Sequence, residues 1–354
     1  MRPAHRRARR PRLLATLVAV GATLMTACGP ATPPSSLSAQ ASATPGPAVS
    51  LTPIATAPGS EAASPTTSPS PAWAVVQATT LPTRLPTGLS RSVAIAVGGS
   101  INVYGGFAST GSTTAEILAF DPPAARVGAL GALAVPVHDA AGVALNGAVM
   151  IFGGGSGAPE SVVQRVDSDG VARAIGNLPG ARADLGAVAI GNSAIVVGGG
   201  VPGGLAPEVL ATEDGVQFRV VATLLSPVRY PAVAEAGGRI YVIGGEGVAG
   251  ETADMQRIDL ATGQVEVIGR MPNPISHASA MVIGGRIFVV GGRSAGTAQD
   301  AIWQVDPVTG TSRLVARLPQ PASDFPLAVI GRVGYAIGGE TDTLVASIVA
   351  IVID

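Results

Sequence analysis

Short apolar segments recur along residues 73–354, and each is followed by a pair of glycines. Two examples are INVYGG at 101–106 and VGYAIGG at 333–339. The second glycines of the pairs are Gly106, Gly154, Gly199, Gly245, Gly292 and Gly339, which lie 48, 45, 46, 47 and 47 residues apart. Six copies at a nearly constant period indicate a structural repeat in which each copy is one supersecondary unit.

Turn signals divide each copy into four short strands. A two-residue turn of glycine or asparagine, such as Asn146-Gly147, lies a few residues before each glycine pair. An aspartate, such as Asp121, follows each pair by 13 to 15 residues. We name the strands A to D, with examples at 93–97 for A, 101–106 for B, 116–121 for C and 312–318 for D. Four strands per copy predict one antiparallel sheet per copy, as in a β-propeller.

The two ends of the repeat region predict how the sheets are completed. The sixth copy reaches Asp354 at the end of its strand C, whereas residues 73–85 (WAVVQATTLPTRL) resemble a strand D that precedes the first copy. We expect this N-terminal strand to pair with strand C of the sixth copy, which would remove two exposed sheet edges. The predicted fold is therefore an all-β, six-bladed propeller of four-stranded antiparallel blades.

Residues 1–27 have the pattern of a secretory signal peptide. An arginine-rich start is followed by an apolar run at 13–25 and by small residues before Cys28. The run is shorter than the roughly 20 residues that span a bilayer. The cysteine in this context resembles a bacterial lipobox, and the resemblance implies cleavage before Cys28 and diacylation of its thiol. We expect an extracytoplasmic protein anchored to the cell membrane by this lipid, with plain secretion as the alternative.

Composition separates a tether from the repeat region. Residues 28–72 are rich in proline, serine and threonine and carry one charge, Glu61, which predicts a disordered tether. Six of the 22 basic residues lie in the leader, so 16 remain against 23 acidic residues, a balance of −7. That balance argues against a nucleic-acid partner. Because Cys28 is the one cysteine, we expect no disulfide and no thiolate metal site in residues 73–354.

The glycine pairs, the aspartate after strand C and the small residues of strand A resemble Kelch repeats across residues 73–354. Two features of that family are lacking: a tryptophan in strand D is missing from most copies, and a tyrosine after the glycine pair is absent. Trp73 lies near such a strand-D position, whereas Trp303 falls in strand C. The resemblance implies Kelch-like blades, with strand A innermost.

Polar residues recur at one phase of the loops that join strand D of one copy to strand A of the next. This strand order puts the D–A and B–C loops on one face, where functional residues tend to lie. The B–C loops add Phe107, Glu160, Glu246, Arg293 and Glu340. The arginines predict an anionic sugar or an acidic peptide as ligand, and hydrogen bonding between neighbouring loops is the alternative role. The candidate ligand-binding residues are Arg91, His138, Asp139, Arg182, Asp184, Arg229, Tyr230, His277 and Asp324.

These features predict a monomeric, membrane-tethered module that binds a protein, peptide or glycan through the D–A and B–C face. Two alternatives stay open: a carbohydrate-active enzyme resembling a sialic acid mutarotase, which needs positioned proton donors and acceptors, and a structural component of an envelope complex. We expect a binding role rather than catalysis and assign no catalytic residue. No metal or cofactor is expected, because His138 and His277 lie in different copies with no third ligand beside them.

Overall fold

The computed structural model describes residues 73–354, which contain strands and turns and no helix. The predicted signal peptide (1–27), the lipidation site Cys28 and the tether (28–72) lie outside the described residues. In residues 73–354 no helix meets the length and apolarity that a membrane span requires.

The strands follow the predicted repeat in chain order. Ahead of the first unit lie β1 (Val76–Arg84) and β2 (Leu89–Ser90). Unit 1 contains β3 (Val93–Val97), β4 (Ser100–Tyr104), β5 (Phe107–Ala108), β6 (Ser112–Thr113), β7 (Glu116–Asp121) and β8 (Arg126–Ala132). Unit 2 contains β9 (Ala141–Leu145), β10 (Ala148–Phe152), β11 (Val162–Val166) and β12 (Ala172–Asn177). Unit 3 contains β13 (Gly186–Ile190), β14 (Ser193–Val197), β15 (Gly200–Val201), β16 (Gly204–Leu205), β17 (Glu208–Thr212) and β18 (Arg219–Thr223).

The remaining three units continue the same order. Unit 4 contains β19 (Ala232–Ala236), β20 (Arg239–Ile243), β21 (Glu246–Gly247), β22 (Gly250–Glu251), β23 (Asp254–Asp259) and β24 (Gln264–Arg270). Unit 5 contains β25 (Ser279–Ile283), β26 (Arg286–Val290), β27 (Arg293–Ser294), β28 (Thr297–Ala298), β29 (Ala301–Val305) and β30 (Ser312–Arg317). Unit 6 contains β31 (Leu327–Ile330), β32 (Val333–Ile337) and β33 (Ser347–Ile353).

Each unit forms a four-stranded antiparallel sheet in the order A, B, C, D, so residues 73–354 contain six such sheets. Tight turns join A to B, and Asn146 and Gly147 both have positive φ, as a two-residue hairpin turn requires. The fourth strand of unit 6 is β1. It pairs antiparallel with β33, placing Val76 opposite Ile353 and Thr80 opposite Val349.

The apolar core lies between the sheets. Six clusters of buried side chains each combine two neighbouring units, namely units 1 and 2, 2 and 3, 3 and 4, 4 and 5, 5 and 6, and 6 and 1. The alternation of each strand explains this arrangement. In β10, Val149 and Ile151 face unit 1, whereas Met150 and Phe152 face unit 3. Each sheet is thus buried on both faces, which accounts for the continuous apolar segments of the sequence.

The glycine pairs join neighbouring units. In each pair the second N–H donates to a backbone carbonyl in the D–A loop of the next unit: Gly106 to Val137, Gly154 to Arg182, Gly199 to Val228, Gly245 to Ile275, Gly292 to Ala322 and Gly339 to Leu89. The D–A loop that precedes the same unit lies too close to the second glycine for a side chain. A Cβ on Gly154 would lie 2.5 Å from the His138 carbonyl oxygen, at a φ of 82°. Glycine is therefore required at this contact.

Candidate ligand-binding site

One residue of each D–A loop has a left-handed backbone conformation. The six are Arg91, Asp139, Asp184, Tyr230, His277 and Asp324, with φ between 51° and 61°. Positive φ is uncommon for residues other than glycine and costs on the order of 1–3 kcal/mol where the surroundings impose it. The same conformation at the same phase of all six loops indicates that a shared set of contacts imposes it.

Backbone hydrogen bonds supply those contacts. The backbone N–H of each of these residues donates a hydrogen bond to the carbonyl of the equivalent residue in the preceding D–A loop, at 2.8–3.1 Å. In donor-to-acceptor order the bonds are Arg91 to Asp324, Asp139 to Arg91, Asp184 to Asp139, Tyr230 to Asp184, His277 to Tyr230 and Asp324 to His277. The six residues, which we call the D–A ring, form a closed circuit of hydrogen bonds. Hydrogen bonds to both neighbours fix the backbone of each ring residue, so each side chain projects from a fixed backbone position.

A cavity with a volume of about 620 Å³ lies on this face. We call it the mouth cavity. B–C loops form its rim, which includes Pro159, Val201, Leu205 and Val248. A smaller cavity of about 120 Å³ is lined by all six members of the D–A ring. The charged and aromatic D–A side chains that line the mouth cavity are Arg91, His138, Asp139, Asp184, Arg229 and Tyr230. The larger volume suits a small ligand or part of a polymer.

The arginines on this face are already paired with carboxylates. Arg91 Nε contacts Glu340 at 2.8 Å, and its Nη1 lies 3.5 Å from Asp139. Arg229 contacts Glu246 at 2.8 Å and Asp184 at 3.8 Å. Arg293 lies 2.7 Å from Glu340 and 3.3 Å from Asp324. An anionic ligand would therefore have to compete with these carboxylates for Arg91, Arg229 and Arg293.

Burial shifts the protonation of the aspartates in the D–A ring. It raises the pKa of Asp139 to about 8, with a further rise from the Asp184 carboxylate that outweighs the attraction of Arg91. Burial also raises the pKa of Asp184 and of Asp324. At neutral pH the Asp139 carboxyl is therefore mostly protonated and can donate a hydrogen bond.

The two histidines on this face are uncharged at neutral pH. His277 stacks on Tyr230 with ring centroids 3.7 Å apart, and burial lowers its pKa to about 4. His138 packs edge-on against Phe107 and bonds the Thr113 hydroxyl at 2.8 Å, and burial with the nearby Arg91 lowers its pKa. Within residues 73–354 no group of three or more histidine, cysteine or carboxylate side chains is placed to hold a metal ion.

Arg182 is the candidate that the structure separates from the others. It is 4% exposed, and its guanidinium donates to the carbonyl of Glu208 at 2.9 Å and to the Glu208 side chain at 3.2 Å. The reason is the loop phase: Ala183, not Arg182, precedes the ring residue Asp184 and pairs with Gly200, as His138 pairs with Gly155. The other eight candidates line the mouth cavity or the smaller cavity beside it.

The apolar rim is the part of the site that the sequence did not indicate. Val248 is 98% exposed at the tip of the β21–β22 hairpin, and Val201 and Leu205 lie on the β15–β16 hairpin of the neighbouring unit. A valine after a glycine in a B–C loop, as in Gly247-Val248 and Gly200-Val201, was the available signal. Its position beside the D–A ring depends on contacts between units.

Residues 274–319 match a family model described as "Kelch motif". A solved structure described as "Structure of YjhT" is 14% identical in sequence, and the match covers 77% of this chain and 99% of that chain with a TM-score of 0.67. At that identity the likeness shows a shared fold. No curated protein matches this chain in sequence. The chain carries a Kelch motif in an all-β fold of antiparallel four-stranded sheets, which supports a β-propeller.

Proposed function

We propose that the chain is a six-bladed propeller whose last blade is completed by β1, and that it acts as a membrane-tethered, extracytoplasmic binding module. The lipid on Cys28 would hold it at the membrane, and the mouth cavity would take a protein, peptide or glycan ligand. The pairing of β1 with β33 and the six shared core clusters support the blade count.

The observation that carries the binding role is the mouth cavity above the D–A ring. Its floor consists of charged and aromatic side chains whose backbones are fixed by hydrogen bonds from both neighbours. A ligand that meets pre-positioned groups loses less conformational entropy on binding than one that must order them. The concave shape, apolar rim and convergent polar groups are the usual features of a ligand site.

A substitution that fills the cavity tests this role. Gly204 lines the mouth cavity, and a Cβ at this position meets no atom within 4 Å at a φ outside the left-handed region. Gly204→Trp should therefore fold normally and occlude the cavity. The full chain and this variant would be screened against glycan and peptide arrays. We expect the wild-type protein to bind a ligand that Gly204→Trp loses.

Gly128→Trp is the matched control for this screen. Gly128 lies on the outer strand β8, where an added Cβ would also meet no atom within 4 Å and φ is not left-handed. This variant should retain all binding. A ligand that Gly204→Trp still binds would place the site elsewhere, and no ligand in either array would instead favour a structural role in an envelope complex.

A second candidate function is acid–base catalysis on a carbohydrate. Asp139 and Asp184 line the same cavity, and the raised pKa of Asp139, about 8, keeps a proton donor beside a second carboxyl. Proton transfer by such a pair can interconvert sugar anomers. Magnetisation exchange between anomers, measured by NMR, would detect this activity. Asp139→Asn should abolish it, and an unchanged exchange rate in the variant would exclude the assignment.

A further inference from the structure

Carboxylates outnumber arginines around the D–A ring. The acidic side chains are Asp139, Asp184, Asp324, Glu246 and Glu340, and the arginines paired with them are Arg91, Arg229 and Arg293. Both histidines here have lowered pKa values because of burial, so they add no positive charge at neutral pH. Five acids against three arginines leave two negative charges to be compensated when all the acids are ionised.

Of these five acids, Asp139 and Asp184 are the two that line the mouth cavity, and the arginine beside each of them lies closer to a glutamate. Arg91 contacts Glu340 at 2.8 Å but lies 3.5 Å from Asp139, and Arg229 contacts Glu246 at 2.8 Å but lies 3.8 Å from Asp184. The glutamates thus hold both guanidinium groups at the shorter distance. The two aspartate side chains are only 10% and 11% exposed. Ionising a carboxyl group with so little exposure to water costs free energy, unless a counter-charge stabilises it, and otherwise the group retains its proton.

The walls of the mouth cavity add apolar and aromatic surface beside these two carboxyls. Val201, Leu205 and Val248 lie on the rim, and the Tyr230 ring lies in the floor, with the Arg229 guanidinium 5.2 Å from its centroid. The Tyr230 ring is already stacked on His277 and paired with the Arg229 guanidinium, so the apolar rim is the surface that suits an alkyl chain. Charge and shape in this cavity therefore favour the same kind of ligand.

We infer that the mouth cavity, if it is the binding site proposed above, takes a primary alkylammonium group between Asp139 and Asp184, with its alkyl chain along the apolar rim. A lysine side chain of a peptide and a free aliphatic amine share this chemistry. The preference is opposite to the anionic ligand that the arginines suggest when the sequence is considered without its ion pairs.

Binding of such a group is coupled to a proton. The charged and titratable groups around Asp139 are Arg91, His138, Asp184, Tyr230, Asp324 and Glu340. Their balance, with burial, raises the pKa of Asp139 to about 8, so the free site holds a proton at neutral pH. An incoming ammonium group would favour the ionised carboxyl and displace that proton. Affinity should therefore increase about tenfold between pH 7 and pH 9, while the amine is still charged.

Three probes of equal chain length test the charge preference. The full chain would be titrated with 1-aminopentane, 1-pentanol and pentanoate, and binding would be followed by ligand-observed NMR and by calorimetry in two buffers of different ionisation enthalpy. We expect the amine to bind with proton release, and the alcohol and the carboxylate to bind at least tenfold more weakly. Nα-acetyl-lysine amide and Nα-acetyl-norleucine amide, compared in the same way, distinguish a peptide source from a free amine.

Two charge-neutralising variants localise the effect. Asp184→Asn keeps the shape and tolerates the left-handed backbone, and it should weaken amine binding at least tenfold. Glu266→Gln removes one charge from the outer strand β24 and should leave binding unchanged. Equal binding of the three probes, or an amine affinity that Asp184→Asn does not change, would overturn the inference.

The Gly204→Trp variant distinguishes this failure from that of the proposed function. If a neutral or anionic ligand from the arrays binds and is lost in Gly204→Trp, the mouth cavity is the site and the cation preference is wrong. If neither an array ligand nor the amine depends on Gly204, the proposed binding role fails, and the preference fails with it.

Discussion

Single residues in this protein are constrained most strongly where two units meet. The backbone N–H of the second glycine in each pair donates a hydrogen bond to the next unit. The six residues of the D–A ring share a left-handed conformation that their mutual hydrogen bonds maintain. Two kinds of constraint, steric exclusion at the glycines and backbone strain at the ring, therefore lie on the same face. Both can be measured by substitutions that change one atom group at a time.

Gly154→Ala should lower the free energy of unfolding by at least about 3 kcal/mol, because the new methyl group would combine a left-handed φ with overlap of the His138 carbonyl. Gly147→Ala has a similar φ of 76° and no atom within 4 Å, so it should cost only about 1–2 kcal/mol. Denaturant unfolding of both variants measures the difference. Equal losses would show that the contact at Gly154 relaxes freely.

The pKa of Asp139 makes stability depend on pH with a definite sign. Its folded value of about 8 lies above the ordinary value of about 3.9, so the folded state binds more protons between these limits. This contribution to stability is complete below about pH 4 and is lost as pH rises towards 8. Asp139→Asn, which tolerates the left-handed backbone, should remove the dependence.

The measurement is the difference in unfolding free energy between Asp139→Asn and wild type at several pH values. As pH rises, the unfolding free energy of the variant should increase relative to that of wild type, by at most about 1.4 kcal/mol per pH unit. The lowered pKa of His277 makes the unfolding free energy of both proteins increase with pH between about pH 4 and 6.5. Because the difference cancels that contribution, a flat difference would show that Asp139 ionises normally.

Whole strands in this fold depend on partners far away in the chain. The strand β1 contributes Val76, Ala78 and their neighbours to the core between units 5 and 6, although nearly the whole repeat region separates it from β33. The outer strand of every other sheet follows its partner along the chain through a short turn. The sixth sheet is therefore the one whose completion requires the two ends of residues 73–354 to meet.

Val76→Asp tests that pairing. Val76 is 9% exposed and belongs to the core cluster, so an aspartate there would be a buried, unpaired charge and should cost roughly 3 kcal/mol or more. Val75→Asp is the matched control, since Val75 is 64% exposed and should change stability by at most about 0.5 kcal/mol. Similar stabilities of the two variants would indicate that β1 does not complete the sheet in solution.

At the scale of the whole molecule, the proposed arrangement is a binding module held away from a membrane by a tether. The D–A and B–C loops concentrate the charged and aromatic side chains on one face, whereas the tight A–B turns consist mainly of glycine and asparagine. Lipid attachment at Cys28 would keep this face within reach of surface ligands. We therefore expect the proposed anchor and the proposed binding site to act independently.

Cys28→Ala should release the protein from the membrane fraction and abolish incorporation of labelled palmitate, because the alanine has no thiol to acylate. Gly204→Trp should remain anchored, since it changes only the mouth cavity. Fractionation and metabolic labelling of cells that express wild type, Cys28→Ala or Gly204→Trp measure the membrane-bound fraction and the incorporation of palmitate. A Cys28→Ala protein that stays with the membrane would show that another attachment holds it.

Local features of the sequence were sufficient to predict the repeat, the strands and the face on which most of the candidate residues gather. Strand A at Val93–Val97 and strand C at Glu116–Asp121 have the predicted bounds, because alternating side chains and two-residue turns act over a few neighbouring residues. Eight of the nine candidate residues line the two cavities, since a constant period brings equivalent loop positions to one face.

The tertiary structure alone decided the chemistry of those residues. Arg182 is buried against Glu208, and the glutamates of the B–C loops, rather than the aspartates, hold Arg91 and Arg229 at the shorter distance. These pairs join residues of different loops and often of different units, so no local pattern contains them. Sequence period determined where polar side chains gather, and long-range packing determined which carboxyl groups lack a close counter-charge.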